Sequence, residues 1–192
     1  MISQRRSVYS LLFALLAVAL FTAPPVLAAD TYKVDPVHST VIFRISHFGT
    51  SYVYGRFDEV TGTFTVDDKT PEFDFSVNAA SVDTNNKQRD THLKSADFFS
   101  VKEFPTITFK STSVSATGDK KFDVTGDLTL HGVTKSITVP LEFVGAADTK
   151  MGSRAGYEGH FAVKRTDYGM DKLVGMVGDD VSLIVSFEGV KQ

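Results

Sequence analysis

The segment 88–99, QRDTHLKSADFF, concentrates residue types that could do chemistry. Within nine positions it carries Arg89, Asp90, His92, Lys94 and Asp97. Histidine changes its charge near neutral pH, so a histidine beside a carboxylate could serve as a general base or a metal ligand. The same charges could instead cap a helix, pair with one another and face water at the edge of an apolar site. Residue types alone leave both interpretations open.

Histidine spacing does not favour a metal site. No two histidines are spaced i, i+2 on a predicted strand or i, i+4 on a predicted helix, and an H-E-x-x-H motif is absent. We therefore predict no metal. The five histidines are His38, His47, His92, His131 and His160.

Covalent catalysis has equally little support. The chain has no G-x-S-x-G motif, and no serine falls in a strand–turn–helix context. It has no cysteine, which excludes thiol chemistry, iron–sulfur clusters and thiolate zinc sites. We therefore predict that the protein is not an enzyme and has no catalytic residues.

The elements that must position these residues are almost all strands. After residue 30, apolar and polar residues alternate with a period of two, which is typical of half-buried β-strands. Gly, Pro and Asp mark turns at 67–71 and 131–135, and Thr84 or Asn85 could cap a short helix that runs through Leu93. The alternating segments are 40–47, 51–57, 62–68, 72–79, 106–114, 121–130, 136–143, 157–163 and 181–188.

Strands of this kind must bury their apolar faces. Closing an antiparallel sheet on itself buries those faces and removes the open edges. We predict an all-β fold: an eight-stranded antiparallel β-barrel with one or two short helices. A barrel of about eight strands is wide enough to be filled by side chains or to hold one ligand. A two-sheet sandwich is the rival, because periodicity alone does not distinguish the two.

Phenylalanine is the strongest positive signal. The chain has 16 phenylalanines, all but two of them after residue 30, and no tryptophan. Glycines 55, 62, 126 and 159 share the inward phase of the strands, which predicts gaps between the rings and an elongated apolar cavity. The alternative is an ordinary packed core. The candidate ligand-binding residues are Phe43, Ile45, His47, Phe57, Phe64, Phe73, Phe75, Val77, Phe98, Phe99, Phe109, Phe143 and Phe161.

The first residues predict export. Arg5 and Arg6 precede an apolar run at 11–21, two prolines follow, and Ala28 or Ala29 offers a small residue for cleavage. We predict a Sec signal peptide at 1–29, one domain at 30–192 and a periplasmic location. Removing the two arginines changes the net charge from −3 to −5, and this acidic balance gives no support to nucleic-acid binding.

Five motifs resemble those of the YceI-like family of lipid- and polyisoprenoid-binding proteins. They are YKVDPVHSTVIFRISHFG (32–49), YGRFDEVTGTFTVD (54–67), SVDTNNKQRDTHLKSADFFSVKEFPTITFKST (81–112), GDLTLHGVTKSITVPLEF (126–143) and RAGYEGHFAVKRTDYG (154–169).

The resemblance implies an extended, lipocalin-like barrel with a hydrophobic tunnel for a polyprenyl lipid or an isoprenoid quinone, and no other cofactor. It implies no catalytic residues. The polar residues of the matching motifs are Asp35, His38, His47, Arg89, Asp90 and His92.

Together these observations predict an exported protein that carries or stores a long isoprenoid or related amphiphile. Transient contact with the membrane or a membrane protein, and a homodimer, stay open. Two other classes of function also stay open. One is a periplasmic enzyme that acts on a lipid head group with His47 or His92 as general base, and the other is a structural β-module without a ligand.

Overall fold

Strands occupy most of the part of the chain that the computed structural model describes, residues 29–192. The predicted signal peptide at 1–29 lies outside that part except for Ala29. Within it, no helix has the length and hydrophobicity needed to cross a membrane. The strands are β1 (Asp30–Val34), β2 (Thr40–His47), β3 (Ser51–Phe57), β4 (Val60–Val66), β5 (Phe73–Asn78), β6 (Val82–Asp83), β7 (Thr106–Gly118), β8 (Lys121–Leu130), β9 (Val133–Thr149), β10 (Gly152–Lys164) and β11 (Val177–Lys191).

Each predicted strand is present, and the structure adds two short ones. β1 and β6 have only five and two residues, too few to show a period of two. The helices between residues 29 and 192 are one α-helix, α1 (Lys87–Leu93), and two 3₁₀ turns at Ala79–Ser81 and Arg165–Tyr168.

The sheet closes on itself, which confirms the eight-stranded barrel. The strand order is β1-β4-β5-β7-β8-β9-β10-β11-β2-β3-β6, and β1 also pairs with β11. β1 and β2 both pair with β11, one after the other along its length, so together they occupy one position in the barrel. In the same way β3 and β4 share a second position, and β5 and β6 share a third. Eleven strands thus fill eight positions of a closed antiparallel barrel, and the sandwich is excluded.

One side of the barrel lacks strand-to-strand bonding. β5 pairs with β7, but β6 pairs only with β3 among the described residues. The segment 84–105, which contains α1, connects β6 to β7 across this opening. Its helix is capped by Asn86, whose side chain accepts a hydrogen bond from the Arg89 N–H at 3.0 Å.

The predicted caps Thr84 and Asn85 are therefore wrong. Asn85 has a left-handed backbone (φ 59°), whereas an N-cap residue needs the extended conformation that Asn86 adopts. The Thr84 hydroxyl instead donates to Asp90.

Aromatic rings fill one end of the barrel. Phe64, Phe73 and Tyr157 are 1%, 2% and 1% exposed. The ring centroid of Tyr157 lies 5.6 Å from that of Phe64 and 5.1 Å from that of Phe73, both in edge-to-face geometry. Burying each of these rings contributes about 1.5–3 kcal/mol to folding. This end, where β1 starts and β11 ends, is closed by packed side chains.

Inward glycines do not leave gaps between the rings, which corrects the prediction made for them. A Cβ on Gly55 would lie 2.3 Å from Cζ of Phe43, and one on Gly126 would lie 2.6 Å from Cζ of Phe109. The rings lie directly against glycine backbone and occupy the space that side chains would take. Glycine is required at these positions so that a ring can lie against the backbone of the neighbouring strand.

We expect Gly55→Ala to lower the free energy of unfolding by about 1–3 kcal/mol, because its Cβ would overlap both Phe43 and Thr84. Gly145→Ala is the matched control: it also lies in a strand, and its Cβ would meet no atom within 4 Å. Urea denaturation of both variants measures the difference. Equal stability of the two would show that Phe43 moves aside without cost.

Candidate functional site

An elongated cavity of about 430 Å³ occupies the other end of the barrel interior. Both Val181 and Phe187 line it, and the six residue steps of strand from one to the other span about 20 Å. Its volume falls in the range of roughly 300–1,000 Å³ that is typical of small-molecule sites. It ends against the packed rings on one side and reaches a mouth at His47 and Leu173 on the other.

Ten of the thirteen predicted ligand-binding residues line this cavity. They come from β2, β3, β5, β7, β10 and the segment that follows α1, so only closure of the barrel brings them together. They are Phe43, Ile45, His47, Phe57, Phe75, Val77, Phe98, Phe99, Phe109 and Phe161.

The structure places the other three elsewhere. Phe64 and Phe73 belong to the closed, packed end, and Phe143 packs against Tyr157 there with a centroid distance of 5.1 Å. All three do point inward, as their phase predicts. Period two distinguishes inside from outside, but it does not report the height of a residue along the barrel axis.

Residues 165–177 contribute to the mouth and were missed in the sequence. Arg165 is 3% exposed, and its guanidinium donates to the carbonyl oxygens of Met170, Lys172, Val177 and Gly178. Burial lowers the pKa of Arg165, and the ring of carbonyl acceptors offsets the loss of water. This segment has no strand or helix period. An arginine between a strand end and a glycine-containing loop was its one available signal.

Polar side chains at the mouth come from two sides. His47 ends β2, and His92 and Arg89 lie on α1; all three line the cavity. The Nε2 of His92 lies 2.9 Å from Oδ2 of Asp97, and this hydrogen bond lowers the pKa of Asp97. Among the described residues, no hydroxyl group hydrogen-bonds to the His92 ring. The mouth therefore offers charge and hydrogen bonds to a ligand, without an assembled nucleophile.

The segment 84–105 is anchored by a hydrogen-bond network around the buried residue Thr84. Asp90 Oδ1 accepts from the Thr84 N–H at 2.9 Å and from the Thr84 hydroxyl at 2.5 Å. Arg89 donates from Nε to the Thr84 hydroxyl and from Nη2 to the Thr84 carbonyl, both at 2.7 Å. Thr84 is 6% exposed. Asp90 and Arg89 thus hold α1 against the end of β6.

The motif residues Asp35 and His38 lie apart from the cavity. They follow β1 on the outer wall, where the His38 ring is 3.0 Å from Asp35 and Arg154 Nη1 is 2.8 Å from Asp35. Arg154 also bonds to Glu188. Asp35, His38 and Glu188 could together hold a metal ion by spacing. However, Arg154 already contacts both carboxylates and supplies the positive charge that an ion would bring.

We expect Asp90→Ala to lower the free energy of unfolding by about 1–3 kcal/mol, because the buried Thr84 N–H loses its acceptor. Asp97→Ala is the control on the same segment, and its exposed ion pairs should leave the thermal midpoint nearly unchanged. Thermal unfolding by circular dichroism measures both. An Asp90→Ala midpoint equal to that of the native protein would contradict this role.

The Asp35 cluster predicts a specific response to acid. Hydrogen bonds from Arg154, and then from His38, hold the pKa of Asp35 well below its usual 3.8. Its contribution to stability is therefore complete above pH 3.8 and is lost as pH falls from there toward the lowered folded-state pKa.

Asp35→Asn should lower the thermal midpoint most at neutral pH, with the difference from the native protein shrinking below pH 3.8. Thermal scans from pH 7 to pH 2 would check this. A difference that stays constant across that range would show that the carboxylate charge is not involved.

Sequence comparisons agree with the geometry. A family model described as the YceI-like domain matches residues 32–189. A UPF0312 protein of Pseudomonas aeruginosa is 46% identical over 180 residues, which covers 91% of this chain and 93% of that protein. Protein YceI of Escherichia coli O157:H7 is 44% identical over 194 residues, covering 98% and 99%.

Two solved structures share the fold. BcnA of Burkholderia cenocepacia matches with a TM-score of 0.75 at 22% identity, covering 81% of this chain and 98% of BcnA. A polyisoprenoid-binding domain from Saccharophagus degradans, implicated in plant cell wall breakdown, matches with a TM-score of 0.69 at 18% identity, covering 84% and 98%. The family model and the two relatives, over nearly the whole described chain, show that this chain belongs to the YceI-like family.

Proposed function

We propose that this protein binds one long-chain isoprenoid or related amphiphilic lipid, tail first, inside the barrel. The observation that carries the proposal is the shape of the cavity. It is long, it is lined mainly by apolar side chains, it is closed at one end by packed rings, and it is open at the other beside polar groups. A molecule with a long apolar tail and a polar head has the same asymmetry.

Burial of the tail supplies the affinity. Each methylene group moved from water into the cavity contributes about 0.8 kcal/mol, so a tail of ten or more carbons needs few polar contacts. Rings of Phe43, Phe109 and Phe161 would contact the tail along its length. His47 and Arg89 at the mouth would meet the head group.

The chemical class of the tail draws support from a structural neighbour. The Saccharophagus degradans domain is described as polyisoprenoid-binding. Within this class, a polyprenyl lipid and an isoprenoid quinone both combine a branched apolar chain with a compact polar head. The chain suits the long apolar cavity, and the head suits the few polar residues at its mouth.

Carriage or storage in the periplasm is the setting that we propose. The basic and apolar pattern of residues 1–29 supports Sec export with cleavage near Ala28 or Ala29. A domain without cysteine must rely on its core in that compartment, and the packed end of the barrel provides one. A long apolar lipid needs a protein to cross an aqueous compartment, because its tail is insoluble there.

One observation favours the alternative of an enzyme acting on a lipid head group: the hydrogen bond between His92 and Asp97 at the mouth. His92→Ala separates the two functions. If His92 is the general base, the variant no longer turns over a bound lipid. If His92 is not the base, the variant retains the intact lipid as the native protein does. The third alternative, a structural module with a filled interior, conflicts with the cavity.

Single tryptophans can test lipid binding, because the chain has none of its own. Phe161→Trp places the reporter in the cavity, and His160→Trp places it on the outer face of the same strand. An acyl lipid brominated at mid-chain quenches tryptophan on contact. We expect saturable quenching in Phe161→Trp at about one lipid per protein and little quenching in His160→Trp.

Equal quenching in both variants would indicate binding to the surface, and absence of quenching in both would overturn the proposal. Native mass spectrometry of protein purified from its own host then identifies the lipid.

A further inference from the structure

We propose that the mouth of the barrel carries a membrane-docking tip, through which the cavity takes up or delivers its lipid directly at a bilayer surface. The tip consists of Phe48, Leu173, Val174 and Met176, in the β2–β3 turn and the loop before β11. This inference rests on the proposed function, because it names the surface that supplies the lipid.

The tip exposes large apolar side chains to solvent. Phe48 is 53% exposed, Val174 is 57% exposed and Met176 is 45% exposed. Ten large apolar side chains are exposed among residues 29–192; four of them form the tip, and Tyr52 and Tyr54 lie on the strand that follows it. Isolated exposed apolar residues need no explanation, but a cluster at the entrance of an apolar cavity does.

The backbone holds these side chains in the exposed position. The Phe48 N–H donates to the Met176 carbonyl at 2.7 Å, which joins the two loops. Phe48 and Leu173 have left-handed backbones, with φ of 52° and 60°, which is uncommon and strained for bulky residues. Strain of this kind persists only where the surroundings impose it.

Arg165 supplies much of that constraint. Its guanidinium donates to the carbonyls of Lys172 and Val177, on both sides of the exposed residues, and to Met170 and Gly178 beyond them. Arg165 therefore fixes both ends of the loop from inside the barrel, while the apolar side chains of the loop face outward. A tip that is already ordered loses little conformational entropy when it enters an apolar phase.

The tip is continuous with the cavity. His47 and Leu173 line the cavity, whereas their sequence neighbours Phe48 and Val174 face solvent. If Phe48 and Val174 contact a bilayer, a lipid that leaves the bilayer beside them meets the cavity wall at the next residue, His47 or Leu173. Its tail would thereby pass from one apolar environment to the other with little exposure to water.

The residues behind the tip match a bilayer better than a protein partner. Tyr52 and Tyr54 are 55% and 58% exposed on β3, and the Arg44 guanidinium lies 4.5 Å from the Tyr52 ring centre. Tyrosines paired with a cation suit the head-group layer, where an aromatic ring is half solvated and phosphates are close. The tip also has only four residues, whereas a standard protein interface uses roughly 20–30 residues on each side.

Vesicle flotation tests the docking surface. The full domain is mixed with vesicles of phosphatidylethanolamine and phosphatidylglycerol, and the bound fraction is measured. The tip variant is Phe48→Asn with Val174→Ser and Met176→Ser; asparagine is chosen because it tolerates a left-handed backbone. The control variant is Val37→Ser with Val144→Ser and Met151→Ser, which removes side chains that are 82%, 65% and 75% exposed at positions remote from the mouth.

We expect the tip variant to bind vesicles at least about tenfold more weakly than the native protein, and the control variant to bind as tightly as the native protein. Equal losses in the two variants would show general surface hydrophobicity, and native protein that does not float with vesicles would overturn the proposal. Tip-dependent self-association without vesicle binding would overturn it in favour of a second copy as the occupant.

Delivery of the brominated lipid separates this proposal from the proposed function. Supplied from ethanol, the lipid should quench Phe161→Trp equally with and without the tip substitutions, since Phe48, Val174 and Met176 do not line the cavity. Supplied from vesicles, it should enter the tip variant about tenfold more slowly. Failure of quenching by both routes, with tip-dependent vesicle binding intact, would reject lipid binding and retain the docking surface.

Discussion

Pairing of β1 and β2 with β11 is the constraint on which the rest of the structure depends. It converts a set of two-faced strands into a barrel with a single interior. Every inward side chain must then be accommodated within one enclosed space, which either packs completely or keeps a cavity. Here the interior does both, because aromatic rings fill the end near Tyr157 and leave the other end open.

The two ends of the interior depend on each other. Phe187 belongs to the packed cluster and also lines the cavity, so the floor of the cavity is the surface of the core. Gly55 and Gly126 let the rings of Phe43 and Phe109 approach the backbone closely, which gives the cavity wall aromatic character without filling the cavity. A stable core and a ligand site are thereby built from one continuous layer of rings.

The mouth is built on a different principle from the walls. Its parts are the segment 84–105 and the loop 165–177, which lack a strand period. Each is held by a polar network around one buried residue, Thr84 in the first and Arg165 in the second. In each network a guanidinium donates to backbone carbonyl oxygen, and the 84–105 network adds one carboxylate. Hydrogen bonds of this type are directional, so they set the position of a loop that apolar packing alone would leave free to slide. Within the charged stretch 88–99, which resembles an active site in composition, Arg89 and Asp90 bond to Thr84 and hold the segment in place.

Much of this could be predicted from the sequence, and the limit is a physical one. Alternation of residue types determined which side chains face inward and the all-β class, because the period of a strand is a local property of the chain. The pairing of β1 with β11 decided between a closed barrel and a sandwich. It did not determine that Phe64, Phe73 and Phe143 lie at the packed end while Phe109 and Phe161 line the cavity. Height along a barrel depends on strand tilt and stagger, which arise only when all strands pair. Nor did it reveal the role of Arg165 or the exposed tip beside it, since their partners are backbone atoms that only the tertiary structure brings together.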